Sequence, residues 1–146
     1  DNVHRVRAEI PDAHEAAELY EADVRAFFQT PDDGFPEFDL MWQGLGANGH
    51  TASLFPGCSA LAERRRAVVA TWIEKLQAHR ITVTLPVLNS AGKVLFIVSG
   101  TEPADALSQV LFGPQLSVPL AAQLVAPRSG RLLWLVESEA SSRLPR

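Results

Sequence analysis

The residues best suited to do chemistry in this sequence lie in one stretch, FDLMWQGLGANGHTASLFPG, from Phe38 to Gly57. An apolar run there passes into Gly44, Gly46 and Gly49, and His50, Thr51 and Ser53 follow. Histidine changes charge near neutral pH, so a histidine in such a turn is a candidate general acid or base. Glycines let the backbone approach a ligand closely and turn N–H groups toward an anion or oxyanion. A glycine-rich turn is also ordinary punctuation between a strand and a loop, with an incidental histidine. Gly44 to Gly49 further matches G-x-G-x-x-G, the dinucleotide fingerprint, with Glu74 after the next strand in the place of the ribose-binding acid. That fingerprint should open a long helix, whereas β-branched Thr51 and the Pro56–Gly57 stop argue against one here.

Other chemistry-bearing residues are weaker candidates. Arg80 opens a β-branched run, and its plain reading is a solvated strand-end charge. Arg64, Arg65 and Arg66 read as a solvated loop face. Asn89 reads as a cap or turn before Ala91–Gly92. Trp42, Trp72 and Trp134 sit in apolar runs and are most simply core. His4, His14 and His79 lack ligand spacing for a metal, and Cys58 has no basic neighbour to make it a nucleophile.

The elements that must position the turn follow from periodicity. Asp12 to Phe28 reads as an amphipathic helix, with Asp12 as N-cap and Glu15 completing a capping-box pattern. Thr30 to Pro36 is a loop, and Phe38 to Leu45 a short buried strand. Ala67 to Ile73, Ile81 to Leu85, Lys93 to Ser99 and Arg131 to Val136 read as further strands. Glu102 to Leu111 reads as a helix with Pro103 in its first turn, and Glu137 to Ser142 as a short terminal helix. Apolar strands with helices between them predict an α/β fold with a largely parallel sheet and helices on both faces. In such sheets ligands bind beyond the carboxyl ends of the strands, which is where the Gly44–His50 turn falls.

Composition narrows the classes. The 146 residues carry 13 Lys and Arg against 17 Asp and Glu, a net charge of −4, which argues against a nucleic-acid backbone binder. No apolar run approaches the roughly 18 to 20 residues of a membrane span. One cysteine excludes an internal disulfide and cysteine-ligated metal clusters. No signal-peptide h-region follows Asp1, so the expectation is a soluble, cytoplasmic single domain over residues 1–146, processed or cut from something longer.

The segment GLGANGHTASLFPG resembles the signature of the 6-phosphogluconolactonases, G-x-G-x-D-G-H-T-A-S-L-F-P-G. RITVTLPVLNSA, from Arg80 to Ala91, resembles the family's R-I-T-x-T-x-x-x-x-N-x-A block, and FIVSG, AAQLV and LLWLVESEA also fit. The HTASLFPG tail separates this family from the related glucosamine-6-phosphate deaminases and isomerases. The resemblance implies a Rossmann-like fold, no metal or organic cofactor, and hydrolysis of 6-phospho-D-glucono-1,5-lactone to 6-phosphogluconate in the oxidative pentose phosphate pathway. It places the general base on His50, which would activate water and then protonate the leaving ring oxygen. Asn48 stands beside it as a second catalytic residue. Gly46 and Gly49, whose amides are candidates for an oxyanion, and Arg80 are expected to bind substrate.

Three departures qualify the resemblance. Asn48 replaces the signature acid, and Pro103 stands where the family usually has lysine. Members of the family are also considerably longer. The N-terminal half, with its phosphate-cradling loop, is therefore expected to be missing, which predicts an exposed core face and self-association or a covering partner. These departures favour an alternative, a catalytically inactive fragment or pseudo-enzyme of the same fold. A related sugar-phosphate isomerase or deaminase is a third reading, against which the HTASLFPG tail counts.

Overall fold

The structure is a computed structural model, and it describes residues 2–145. Helix α1 (Ala13–Phe28) begins where expected, with the Asp12 carboxylate accepting from the His14 amide at 2.8 Å. Ala16, Ala17, Glu21 and Val24 form its buried stripe.

Strands β1 (Met41–Gly44), β4 (Lys93–Val98) and β5 (Arg131–Val136) make a parallel sheet in the order β1-β4-β5. Their register aligns Trp42 with Leu95 and Leu133, and Gly44 with Ile97 and Leu135. The strand β2 (Val68–Ile73) does not join that sheet. It pairs antiparallel with β3 (Ala78–Val83), Thr71 facing Arg80 and Val69 facing Thr82, as a separate hairpin. The expected parallel sheet is thus formed by β1, β4 and β5, and the pairing of the other two strands was left open by the sequence. Residues 74–77 are a tight turn that returns the chain antiparallel, and a parallel partner would need a longer crossover.

The predicted strand to Leu85 also ends early, at Val83. Thr84 caps and Pro86 opens the helix α2 (Leu85–Ser90), proline being suited to a first helical turn. Helix α3 (Ala104–Phe112) follows β4, and the predicted terminal helix is a 3₁₀ turn at Ala140–Arg143.

Alternation along β4 sends Val94, Phe96 and Val98 into a core with Leu88, Leu107 and Ala121. Burial of a side chain the size of Leu or Phe contributes about 1.5–3 kcal/mol, so this face anchors the sheet. Helices were expected on both faces, but among the described residues only this face is covered. Trp42, Ile97, Leu133 and Leu135 remain exposed on the other, and Trp42 at 69% exposure is not the core residue its apolar context suggested. Trp72 is likewise half-exposed, and its indole N–H donates to Glu74 at 2.8 Å. Trp134 does pack inward, stacked on Phe96.

Glu21 fastens α1 to the hairpin. Its carboxylate, 8% exposed, accepts from the Ala67 amide at 2.5 Å and from the Arg66 guanidinium, at the start of β2. Arg66 thus leaves the solvated basic run that the sequence suggested. Asn89 ties α2 to the segment after the Ala121–Leu124 turn. Its amide nitrogen donates to the Leu124 carbonyl at 3.1 Å, and its oxygen accepts from Ala126 N–H at 2.7 Å.

Candidate active site

Strand β1 delivers the chain to the carboxyl edge of the sheet, where residues 45–57 form a compact loop. Gly46 N–H donates to the His50 carbonyl at 2.9 Å, and Gly49 N–H to the Gly46 carbonyl at 2.8 Å, closing a ring of backbone around residues 46–50. Gly49 sits at φ +77, and its carbonyl accepts from Ala122 N–H at 3.1 Å. Thr51 donates its hydroxyl to Gln43 of β1 at 3.0 Å, so the loop is tethered to the strand that precedes it.

This ring fixes His50. A Cβ on Gly46 would stand 2.0 Å from the His50 Cε1, so the missing side chain is the space the imidazole occupies. The opposite flank of the ring stacks on Phe55, centroids 4.1 Å apart and planes 9° from parallel. The Nδ1 atom lies 2.6 Å from the Asn48 side-chain oxygen, which also accepts from the His50 amide at 3.3 Å. That second contact identifies the Asn48 atom as the acceptor, so Nδ1 carries the hydrogen and Nε2 is the basic nitrogen. Burial lowers the His50 pKa below its usual value, and the positive charge of Lys75 lowers it further. His50 is therefore a neutral base at pH 7.

His50 faces a cleft of about 670 Å³ that it lines with Asn48, Ser53, Lys75, Arg80 and Glu102. Arg80 reaches it through the period of two along β3, which places Arg80 on the same hairpin face as Thr82. The Thr82 hydroxyl accepts from Ser53 N–H at 3.1 Å, so that face is the one turned to the loop. A second hollow of about 410 Å³ opens on the other side of His50, toward Trp42 and Gly44 on the uncovered sheet face.

The structure brings together His50, Asn48, Gly46, Gly49 and Arg80. It corrects one expected role: the amides of Gly46 and Gly49 are spent inside the turn and do not face an oxyanion. The neighbouring amides of Ala47 and Asn48 donate to no protein group among the described residues, and both residues line the cleft. Phe55, Lys75 and Glu102 were not singled out from the sequence as site residues. Lys75 and Glu102 come from the hairpin tip and the loop after β4, and only the tertiary fold brings them to His50. Among the described residues no group of three His, Cys, Asp or Glu side chains is placed to hold a metal ion. Nor, among the described residues, is any helix long and apolar enough to cross a membrane.

Comparison with known proteins agrees with this geometry. The sequence model of the glucosamine-6-phosphate isomerases/6-phosphogluconolactonase family matches residues 1–134. The human 6-phosphogluconolactonase is 41% identical over 140 residues, a match covering 95% of this chain and 52% of that protein. Among solved structures, the devB protein superposes with a TM-score of 0.86 at 28% identity, over 99% of this chain and 59% of that one. The 6-phosphogluconolactonase from Trypanosoma cruzi gives 0.80 at 26% identity, over 99% and 56%. The chain thus spans about half the length of the curated relatives it matches.

Proposed function

Because the chain belongs to the glucosamine-6-phosphate isomerase/6-phosphogluconolactonase family, we propose that its cleft hydrolyses a phosphorylated sugar lactone, 6-phospho-D-glucono-1,5-lactone, to 6-phosphogluconate. The observation that carries this reading is a neutral imidazole whose Nδ1–H is held by Asn48 and whose Nε2 is left to act as base.

In the proposed reaction Nε2 removes a proton from water as the water oxygen attacks C1 of the lactone. The carbonyl oxygen becomes an oxyanion, and the free amides of Ala47 and Asn48 are the donors nearest to hand. Collapse of the tetrahedral intermediate breaks the bond from C1 to the ring oxygen, and the imidazolium returns its proton to that oxygen. Water is consumed, one hydroxyl is released on the sugar, and His50 ends as it began. Asn48 fixes the tautomer but adds no negative charge to stabilise the imidazolium. Gly46 and Gly49 act by giving the ring its space.

The uncovered sheet face adds a condition. Trp42, Leu95, Ile97, Leu133 and Leu135 form two apolar rows in register, and the occupant that fits them is the part of the relatives' domain that this chain does not span. A second copy of the chain is the competing occupant.

The test is lactone hydrolysis, with substrate generated in place and spontaneous opening subtracted, by the chain and by His50→Ala. Turnover lost in the variant supports the reading. Turnover equal in both removes His50 from the mechanism, and none in either, from folded protein, favours the inactive-fragment reading.

A further inference from the structure

The wall of the cleft opposite the Asn48 turn carries two cations from one hairpin, Lys75 at its tip and Arg80 on β3. Among the described residues neither makes a salt bridge, although acidic side chains are near in sequence. Glu74, the adjacent acid, is engaged elsewhere: its carboxylate accepts from the Trp72 indole at 2.8 Å and from the Gln77 amide at 2.8 Å. Glu63 accepts from the amides of Arg64, Arg65 and Arg66, and Glu21 is committed to Arg66 and Arg25. Glu102, on the loop after β4, is the one acidic residue of the cleft lining, so two positive charges face one negative charge there.

Two cations a few residues apart on one hairpin, with their local acids occupied, are arranged for a polyanionic group. Arg80 offers a planar fork of donors, and Lys75 a compact point charge. A cleft of about 670 Å³ lies within the usual range for a small ligand and has room for a sugar ring and a phosphate ester together.

We propose that Lys75, acting with Arg80, is a specificity-determining residue that holds the phosphate ester of the substrate on the hairpin wall while C1 faces His50. The inference rests on the lactonase reading and deepens it. It carries a second consequence, because the charge of Lys75 also disfavours the imidazolium of His50. A bound phosphate dianion screens that charge, so ligand at one end of the cleft raises the basicity of the base at the other. Lys75 and Arg80 from the hairpin and Glu102 from the loop after β4 are the charged groups facing His50 across the cleft.

The test uses the stable product, 6-phosphogluconate, with gluconate as the phosphate-free control, in calorimetric titrations of the wild-type chain, Lys75→Met and Lys75→Arg. The His50 imidazole is followed by NMR in parallel. Lys75→Met is expected to weaken 6-phosphogluconate by at least about tenfold, the effect of one charge-assisted contact, to leave gluconate unchanged, and to raise the His50 pKa. Lys75→Arg should restore most of the affinity. The proposal is overturned if folded wild-type chain binds 6-phosphogluconate no better than gluconate, or if Lys75→Met binds it as the wild type does. Lysine-dependent phosphate binding without lactone turnover would refute the lactonase reading alone.

Discussion

Replacing Asn48 with aspartate puts a carboxylate where a neutral amide oxygen now touches the imidazole. The native contact is 2.6 Å from Nδ1, which places the new charge about 4 Å from the centre of the imidazolium. Two opposite charges at about 4 Å attract by about 1 kcal/mol in water and about 4 kcal/mol at an effective dielectric constant of about 20. His50 is only half-buried, so the lower part of that range applies. At 1.36 kcal/mol per pKa unit, Asn48→Asp should raise the His50 pKa by about one unit. This opposes the native lowering by burial and by Lys75. The assay is the pH titration of the His50 C2 proton by NMR, repeated at high salt, where an interaction at a half-exposed site should shrink. If the chain turns over lactone, the acid limb of kcat/KM should move up by the same amount. A His50 pKa unchanged or lowered in Asn48→Asp would refute the arrangement of Asn48 against Nδ1.

Three variants and one pH profile test other links. Gly46→Ala should expel the imidazole from its niche and abolish the ring-current shift from Phe55, at a stability cost of about 1–3 kcal/mol in urea titrations. An unchanged His50 spectrum would sink that account. Glu21→Gln should cost about 2–3 kcal/mol, below the usual penalty for a broken buried pair because Arg66 is 41% exposed. A loss under about 0.5 kcal/mol would mean the staple to Ala67 and Arg66 does not matter. The double change Ile97→Gln with Leu135→Lys should leave stability within about 0.5 kcal/mol and reduce dye binding and self-association. Both side chains project from the uncovered face, and a large loss of stability would show that this face is packed. Finally, the folded state holds the His50 pKa below 6.5, so the unfolded chain takes up the proton first. Stability present at pH 7–8 should therefore fall as pH drops below about 6.5, and His50→Gln should flatten that part of the melting profile.

The parts of the fold set by local pattern were legible in the sequence. Arg131 to Val136 was read as a strand with the bounds the structure gives, and Asp12 caps its helix as expected. Pairing was not legible, because it is non-local. The turn between β2 and β3, Glu74–Gln77, holds no glycine, and Gln77 itself takes the left-handed conformation at φ 48. Nothing in its composition announced a hairpin. Trp42 and Trp72 were misread for a related reason, since an apolar run does not tell which of its faces is covered. In the site, His50 stood out from the turn it sits in, and Asn48 from the resemblance of that turn to a family signature, both being local patterns. Lys75 was not, because only the antiparallel return of the chain brings it to His50.

The hairpin forms no strand pairing with the parallel sheet, so the base and the cations that face it are carried on separate hydrogen-bonded lattices. The hairpin is fixed at Glu21 and at Ser53–Thr82 near its root, and at Ser59–Thr71 and His14–His79 further along, whereas residues 74–77 make none of these contacts. The tip can therefore vary in length and composition without breaking the contacts of Asn48 and Gly46 that hold the imidazole in place, while the charge it carries still bears on the basicity of His50. On the proposed reading, a chimera with residues 74–77 transplanted from a relative should shift ligand preference and the His50 pKa together and leave the position of the ring unchanged.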